Sequence, residues 1–511
     1  MGYKQIEINL PTDYTEESIK KKLSKKLRIN DFEYSIDKKS LDARKKNQIH
    51  WKLRITVSSK EIKTDFEPDT RILNIPKINS NAKIIVVGSG PSGFFSALVM
   101  LRAGFDVTII EQGPDVFERV KAIKIFEKTG ELNEKANYAY GEGGAGTFSD
   151  GKLTSRTKSI VLERRFMFDE YIKAGAPEEI RYLSKPHIGS NILVKTARNL
   201  RKMFIDEGGK YKFETELLNI YHKDGRVNAI ETNIGKIDCD YLVLGTGHSN
   251  FAVFKLLQNI GVMFKTKPFA IGSRVEHIQS EINQSQWKCS TLEGVKNAEY
   301  SLTSQAGSNS VFTFCMCPGG RIISAPQKNG LNIVNGMSNY KRNSPYANSA
   351  IVAALDLNKE FGREIEASEA IDWLYNLEAK FYDYVGGFDA PAVRIKDLME
   401  GNTTNNFPKS SYPFDLKTAD FGELFPNSVY GSMKKSFKEF SKKIKGFEEG
   451  ILMGLESRTS SPIQALRNKN GLCEKFDNLY LVGEGSGFSG GIVSSGADGI
   501  KAGMEIIHNN Q

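Results

Sequence analysis

The run Ile84-Ile85-Val86-Val87 is continuously apolar, which predicts a strand buried on both faces, as in a parallel sheet. Pro91 to Ala103 then reads as a helix and Phe105 to Ile110 as a second buried strand. Two further runs of the same kind follow far downstream, Tyr241-Leu242-Val243-Leu244 and Leu479-Tyr480-Leu481-Val482. Between them the pattern changes. Asn191 to Glu207 predicts a helix ending at Gly208-Gly209, and short alternating strands follow at Lys212–Glu214, Glu216–His222, Val227–Thr232 and Gly235–Ile237. Residues 265–450 mix an aromatic-rich strand, Val311 to Cys315, with expected helices at Asn348–Phe361 and Ala367–Phe381. A last helix is expected to run to about His508. At the other end, Ile6, Ile8 and Leu10 alternate as a strand, and Tyr14 to Leu27 predicts a helix capped by Thr15 with Glu16 and Glu17 in its first turn. Phe32 to Ile36 and His50 to Val57 complete a β-α-β-β order, a helix on a small antiparallel sheet.

The glycines give the first apolar strand its meaning. Gly88, Gly90 and Gly93 fit G-x-G-x-x-G, placed after a strand and at the start of a helix. In that setting Gly88 allows the tight turn, Gly90 lets backbone approach a pyrophosphate, and Gly93 lets the helix pack close to the strand. The helix start, Pro91 and Ser92, aims N–H groups at phosphates. Glu111 closes the second strand, 18 residues after Gly93, where a carboxylate can hold both hydroxyls of an adenosine ribose. A dinucleotide site follows. The fold class is α/β: a Rossmann-like nucleotide-binding domain with an inserted β-meander and an inserted α/β substrate domain, plus a small N-terminal α+β module. The expected boundaries are 1–60 for the module, 61–80 for a linker with Pro68 and Pro76, 81–264 for the first nucleotide-binding part, 265–450 for the insert and 451–511 for the return.

Composition narrows the class. With 40% hydrophobic and 26% charged residues over 511 positions, the chain is long enough for two or three domains. No apolar run approaches a membrane span, and no basic-then-apolar leader opens the sequence. Five scattered cysteines do not make a disulfide framework, so a reducing cytoplasm is expected. The net charge of +9 is concentrated early, with 18 Lys/Arg against 12 Asp/Glu in residues 1–78. The run Lys20-Lys21-Lys22-Leu23-Ser24-Lys25-Lys26 reads either as a solvated helix face or as a patch for nucleic acid or an acidic partner.

Glu111 to Arg119 has the form E-x-G-x-x-V-x-x-R, which resembles flavoproteins of the glutathione-reductase-like superfamily. The resemblance implies that Arg119 lies near the pyrophosphate; otherwise it is a surface arginine. It also implies that Glu484, in the loop Gly483 to Gly491, contacts the ribityl chain, with the helix start at Gly491 and Ile492 facing the flavin pyrimidine. A third Gly-rich stretch, Tyr140 to Lys152, repeats G-x-G-x-x-G at Gly141, Gly143 and Gly146, but no apolar strand precedes it. It reads instead as a loop, with Gly143, Gly144, Gly146 and Thr147, laid against the isoalloxazine ring. Gln112, Thr246, Gly247 and Gly490 complete the expected cofactor contacts.

Over nearly its whole length the chain is similar to the bacterial FAD-dependent dehydrogenase family of undefined substrate. The shared segments are Leu41-Asp42-Ala43-Arg44-Lys45-Lys46, Tyr140 to Lys152, Phe314-Cys315-Met316-Cys317-Pro318-Gly319-Gly320, Glu456 to Pro462 and the terminal Gly-Glu-Gly loop. Ser457 departs from the threonine expected there. The resemblance implies bound FAD and oxidoreductase activity on an unidentified small molecule, with NAD(P)H as a transient reductant. A flavin-dependent RNA-modifying transferase and a non-catalytic flavoprotein binding module are the alternatives. Catalytic residues stay open. Lys152 could set a cation near flavin or substrate, or lie on the surface. Arg458 could bind a substrate carboxylate bidentately, or pair with Glu456 or another acid. His248 reads as a packing histidine more readily than a base. Cys315 and Cys317 share one strand face, where their Cα atoms would lie ~6.5–7 Å apart, at the edge of disulfide range; structural and redox readings both stand.

Overall fold

Short apolar runs build the central sheet. In the computed structural model, which describes residues 1–64, 66–155, 157, 159–403 and 405–511, five parallel strands stand side by side. Their order is Leu479–Leu481, Tyr241–Leu244, Lys83–Val87, Asp106–Ile110 and Lys210–Lys212. All pairings are parallel, so every strand ends at the same edge. The short strand expected at Lys212–Glu214 therefore belongs to this sheet and not to the meander. The meander itself has three antiparallel strands, Leu217–Lys223, Arg226–Thr232 and Gly235–Asp238.

Two helices cross one face of the sheet closely. Pro91–Ala103 is buried along most of its length, as a crossover helix in a parallel sheet should be. The last helix, Ile492–His508, packs on it through a stripe of small residues, Gly496, Gly499 and Gly503. A Cβ added at Gly499 would lie 2.0 Å from the Ser92 carbonyl oxygen, and one at Gly503 2.5 Å from a Val99 methyl. This contact brings the starts of both helices to the same end of the sheet.

A second sheet of eight strands carries the insert. Its path is Thr303–Ser304, Val311–Ser324, Tyr346–Leu355, Phe269–Ile278, Ile451–Glu456, Ala390–Arg394 and Leu416–Thr418, with Val334–Ser338 paired to Val311–Ser324. The helix expected at Asn348–Phe361 is mostly strand: Tyr346–Leu355 pairs on both edges, and only Leu357–Phe361 is helical. Its small and β-branched residues, Ser349-Ala350-Ile351-Val352-Ala353, are all buried, so no polar face marks the period and sequence pattern cannot separate strand from helix. The sheet also takes in Ile451–Glu456, so it extends past the boundary expected at residue 450.

The N-terminal module is a three-stranded antiparallel sheet, Gly2–Leu10, His50–Ser59 and Glu33–Asp42, with His50–Ser59 in the middle. Thr15 caps the helix Glu16–Leu27 by accepting from Ser18 N–H, and Ile19 and Leu23 bury against the sheet. Three lysines of the basic run are engaged at home. Lys22 and Lys26 donate to the Asn9 and Glu7 carbonyls, and Lys20 lies 3.0 Å from Glu16. The segment joining module and sheet has no regular structure over its described residues, yet Leu73, Ile75 and Ile78 pack on the nucleotide-domain core. Among the described residues no helix is long and apolar enough to cross a membrane.

The three motif glycines differ in what they protect. Gly88 has φ +94°, and a Cβ added at Gly93 would sit 1.9 Å from the Gly88 carbonyl oxygen. At Gly90 φ is −68° and an added Cβ meets only the Gly144 Cα, at 3.8 Å. Gly93→Ala should therefore destabilise by more than about 3 kcal/mol, or fail to give soluble protein. Gly90→Ala should stay within about 1 kcal/mol of the wild type. Denaturant unfolding of both variants checks the contrast.

Candidate cofactor site

At the shared C-terminal edge of the parallel strands, the loops open around one cleft of about 1050 Å³, solvent at its mouth included. This edge, where the strand order reverses on either side of Lys83–Val87, is where an open α/β sheet binds ligands. Gly88, Gly90, Pro91 and Ser92 line it from the first turn, and Glu111 and Gln112 from the second strand. Thr246 and Gly247 follow the Tyr241–Leu244 strand into it, while Glu484, Gly490, Gly491 and Ile492 enter from the last loop. Gly144 and Gly146 close the opposite wall, where a Cβ added at Gly144 would come 3.0 Å from the Gly90 Cα.

Three expected contacts stand behind the wall and shape it. Gly93 packs on the Gly88 carbonyl. Gly483, at φ +71°, rests on the Ser92 side chain and donates its N–H to Asp498 at 2.8 Å. Gly143, at φ +81°, turns against Thr147, and both line a smaller recess beside Pro91 and Ile492.

Two carboxylates face the cleft, each held from behind. Glu111 accepts from Ser89 N–H and Oγ at 3.0 and 2.7 Å and from Gly113 N–H at 3.0 Å. Glu484 lies 3.0 Å from His248 Nδ1. Their strands are separated by two others, three inter-strand spacings or about 14 Å. His248 also lines the cleft, and its Nε2 is buried without a hydrogen-bond partner. Sequence reading placed His248 at the sheet end but could not join it to Glu484, 236 positions away. It also missed Ser89 and Tyr140; the Tyr140 hydroxyl donates to the Ser249 carbonyl at 2.7 Å, and burial pushes its phenol well above the usual range.

Arg119 is neither a surface arginine nor a lining residue. Its side chain is fully buried and donates to five main-chain carbonyls, those of Asn137, Tyr138, Gly141, Glu142 and Gly144, at 2.7–3.3 Å. Its plane lies over Phe148, with 4.7 Å to the ring centre. Burial lowers its pKa to about 10. Arg119 thus fixes the loop that carries Gly144 to the cleft, because a guanidinium alone can serve so many carbonyls from one side chain.

Neither catalytic candidate lines the cleft. Lys152 donates to the Met316 carbonyl and lies 3.5 Å from Asp150. Arg458 pairs with Glu378 at 2.7 Å, not with Glu456, and stacks over Phe251 at 4.6 Å. Glu456 is taken by Arg274 at 2.8 Å.

The cleft fits FAD. Gly90 and Gly144 line it with bare backbone, the helices Pro91–Ala103 and Ile492–His508 both start at it, and the carboxylates stand a dinucleotide's reach apart. The family models agree. An FAD binding domain matches residues 81–250, an FAD-dependent protein C-terminal domain matches 268–459, and a domain of unknown function matches 3–58. An uncharacterised protein of Clostridium beijerinckii is 36% identical over 98% of this chain and 97% of its own. Among solved structures, L-proline dehydrogenase from P. horikoshii aligns at 11% identity over 85% of this chain and 95% of its own, with a TM-score of 0.37. Glycine oxidase from Bacillus cereus aligns at 12% identity over 84% and 96%, with a TM-score of 0.33. Likeness at this level assigns no substrate. On its full-length relative and its two FAD domains, the chain belongs to one family with the Clostridium beijerinckii protein, a family of FAD-dependent proteins.

Proposed function

We propose that this protein transfers hydride between FAD and a small-molecule substrate, with NAD(P)H or another soluble carrier meeting it transiently as reductant. The observation that carries this reading is the pairing of two carboxylates with two helix starts around one cleft. FAD, when bound, supplies the hydride chemistry. The chain's own residues bind and tune. The Ser92 N–H at the helix start, which lines the cleft, lacks an intrahelical partner and suits a pyrophosphate. Glu111 keeps lone pairs beyond the three bonds it accepts, enough for ribose hydroxyls. Glu484, steadied by His248, suits the ribityl hydroxyls. The N-terminus at Ile492 offers partial positive charge to a ring that gains negative charge on reduction. The home contacts of Lys20, Lys22 and Lys26 support a solvated helix face over an RNA-binding one.

The test is an anaerobic reduction titration with flavin occupancy recorded. Gly90→Val should fold and lose FAD, since its methyls add bulk where bare Gly90 backbone lines the cleft. Gly491→Asp should retain FAD and show a lowered reduction potential with slower reduction, because it sets a carboxylate at the helix start. Glu484→Gln should weaken FAD retention with little change in the reduction rate per bound flavin. Stoichiometric FAD in a folded Gly90→Val protein, or an unchanged potential in a fully occupied Gly491→Asp protein, overturns the reading.

A further inference from the structure

One strand of the eight-stranded sheet loses register twice within a few residues. Strand Val311–Ser324 slips register between Phe314 and Cys317 and again between Cys317 and Gly320. Cys315 sits in the slip at φ +43°, the left-handed region that non-glycine residues avoid. The irregular backbone turns Cys317 back on Cys315: the Cys317 thiol donates to the Cys315 carbonyl at 3.3 Å. An ordinary strand would hold them at the edge of disulfide range, so the slip changes what the pair can do. Cys315 is half-buried and Cys317 fully buried.

The surroundings are charged. Arg274, entirely buried, donates to the Cys315 carbonyl at 3.3 Å and pairs with Glu456. Lys152 holds the next carbonyl, that of Met316, and neighbours Asp150, which Arg342 also binds at 3.0 Å. Arg274 and Lys152 are the cations nearest Cys315, holding its own carbonyl and the next one. The hydrogen bond from Cys317, with Lys152 and Arg274 adding positive charge, outweighs burial and holds the Cys315 thiol well below the usual range; the Cys317 thiol is pushed well above it. Strained backbone, a cationic setting and a second thiol folded back on the first cysteine are the marks of a reactive cysteine with a resolving partner.

We propose that Cys315 and Cys317 form a redox-active dithiol site for hydroperoxides, with Cys315 as nucleophile and Cys317 as resolving thiol. The Cys315 sulfur attacks one oxygen of hydrogen peroxide, the O–O bond breaks, and hydroxide leaves and takes a proton to become water; an alkyl hydroperoxide loses alkoxide as the alcohol instead. The resulting sulfenic acid is attacked by the Cys317 sulfur. The S–S bond forms, the S–O bond breaks, and a second water leaves with the thiol proton. Two electrons pass from the dithiol to the peroxide.

Cys289 is the internal reference, since it is half-buried like Cys315 but outside this cluster. Full-length protein as purified is exposed to hydrogen peroxide, quenched with an alkylating agent and mapped by mass spectrometry. Cys315 should be consumed at least about tenfold faster than Cys289. The product should be a Cys315–Cys317 linked peptide lighter by two hydrogens, reversed by dithiothreitol. In Cys317→Ser, the same treatment should leave a sulfenic acid at Cys315 that dimedone traps. Equal consumption of Cys289 and Cys315, or oxidation of Cys315 without the link to Cys317, overturns the proposal.

Discussion

One buried guanidinium holds the cofactor cleft in shape. Arg119 carries a full charge into the interior with no carboxylate in direct contact, and five loop carbonyls take the place of water. Burying an ion costs several kcal/mol unless such bonds return it. The exchange works in both directions: without Arg119 the turn from Asn137 to Gly144 would present buried carbonyls with no donor. Gly141 belongs to the same arrangement, since a Cβ there would meet the Arg119 Cδ at 2.6 Å. The loop so fixed sets Gly144 directly against Gly90, and both glycines line the cleft.

Around that fixed wall the helices do the rest. Small residues on Ile492–His508 let it lie against Pro91–Ala103, so two helix starts reach one cleft from segments nearly 400 residues apart. The parallel register then sets Glu111 and Glu484 on either side. The second sheet adds a different chemistry. Its core is apolar where helices pack on it, but a buried polar line runs from Glu456 through Arg274 to the bulge at Cys315, with Asn335 and Asn348 completing the Arg274 bonds. Every guanidinium nitrogen of Arg274 is used, which is the condition under which a buried charge specifies a structure instead of weakening it.

The parallel strands and their glycines were legible because each apolar run is flanked by turn residues and the spacing from Gly88 to Glu111 follows from strand and helix geometry. The N-terminal module was legible for the same reason, with Thr15 and the alternation of Ile6, Ile8 and Leu10 marking its elements. Tyr346–Leu355 was not, because a strand buried on both faces shows no period and its alanines favour helix in isolation. The place of Arg119 was only half legible. The family resemblance of its motif implied a place near the pyrophosphate, but whether it touches ligand or backbone depends on a loop 18 to 25 residues further on, which one-dimensional pattern does not bring near. The partners of His248, Arg458 and Lys152 come from distant segments and were unreadable on the same ground.

The most direct measurement is the FAD dissociation constant of Arg119→Lys, from titration of apoprotein, read beside its unfolding curve and the hydrogen exchange of residues 137–146. A lysine keeps the charge but has three donors and no planar fork, so it cannot serve five carbonyls. The account predicts a protein that still unfolds cooperatively, exchanges faster in that loop and binds FAD at least about tenfold more weakly, about 1.4 kcal/mol. A folded Arg119→Lys protein with wild-type FAD affinity and an equally protected loop would contradict it.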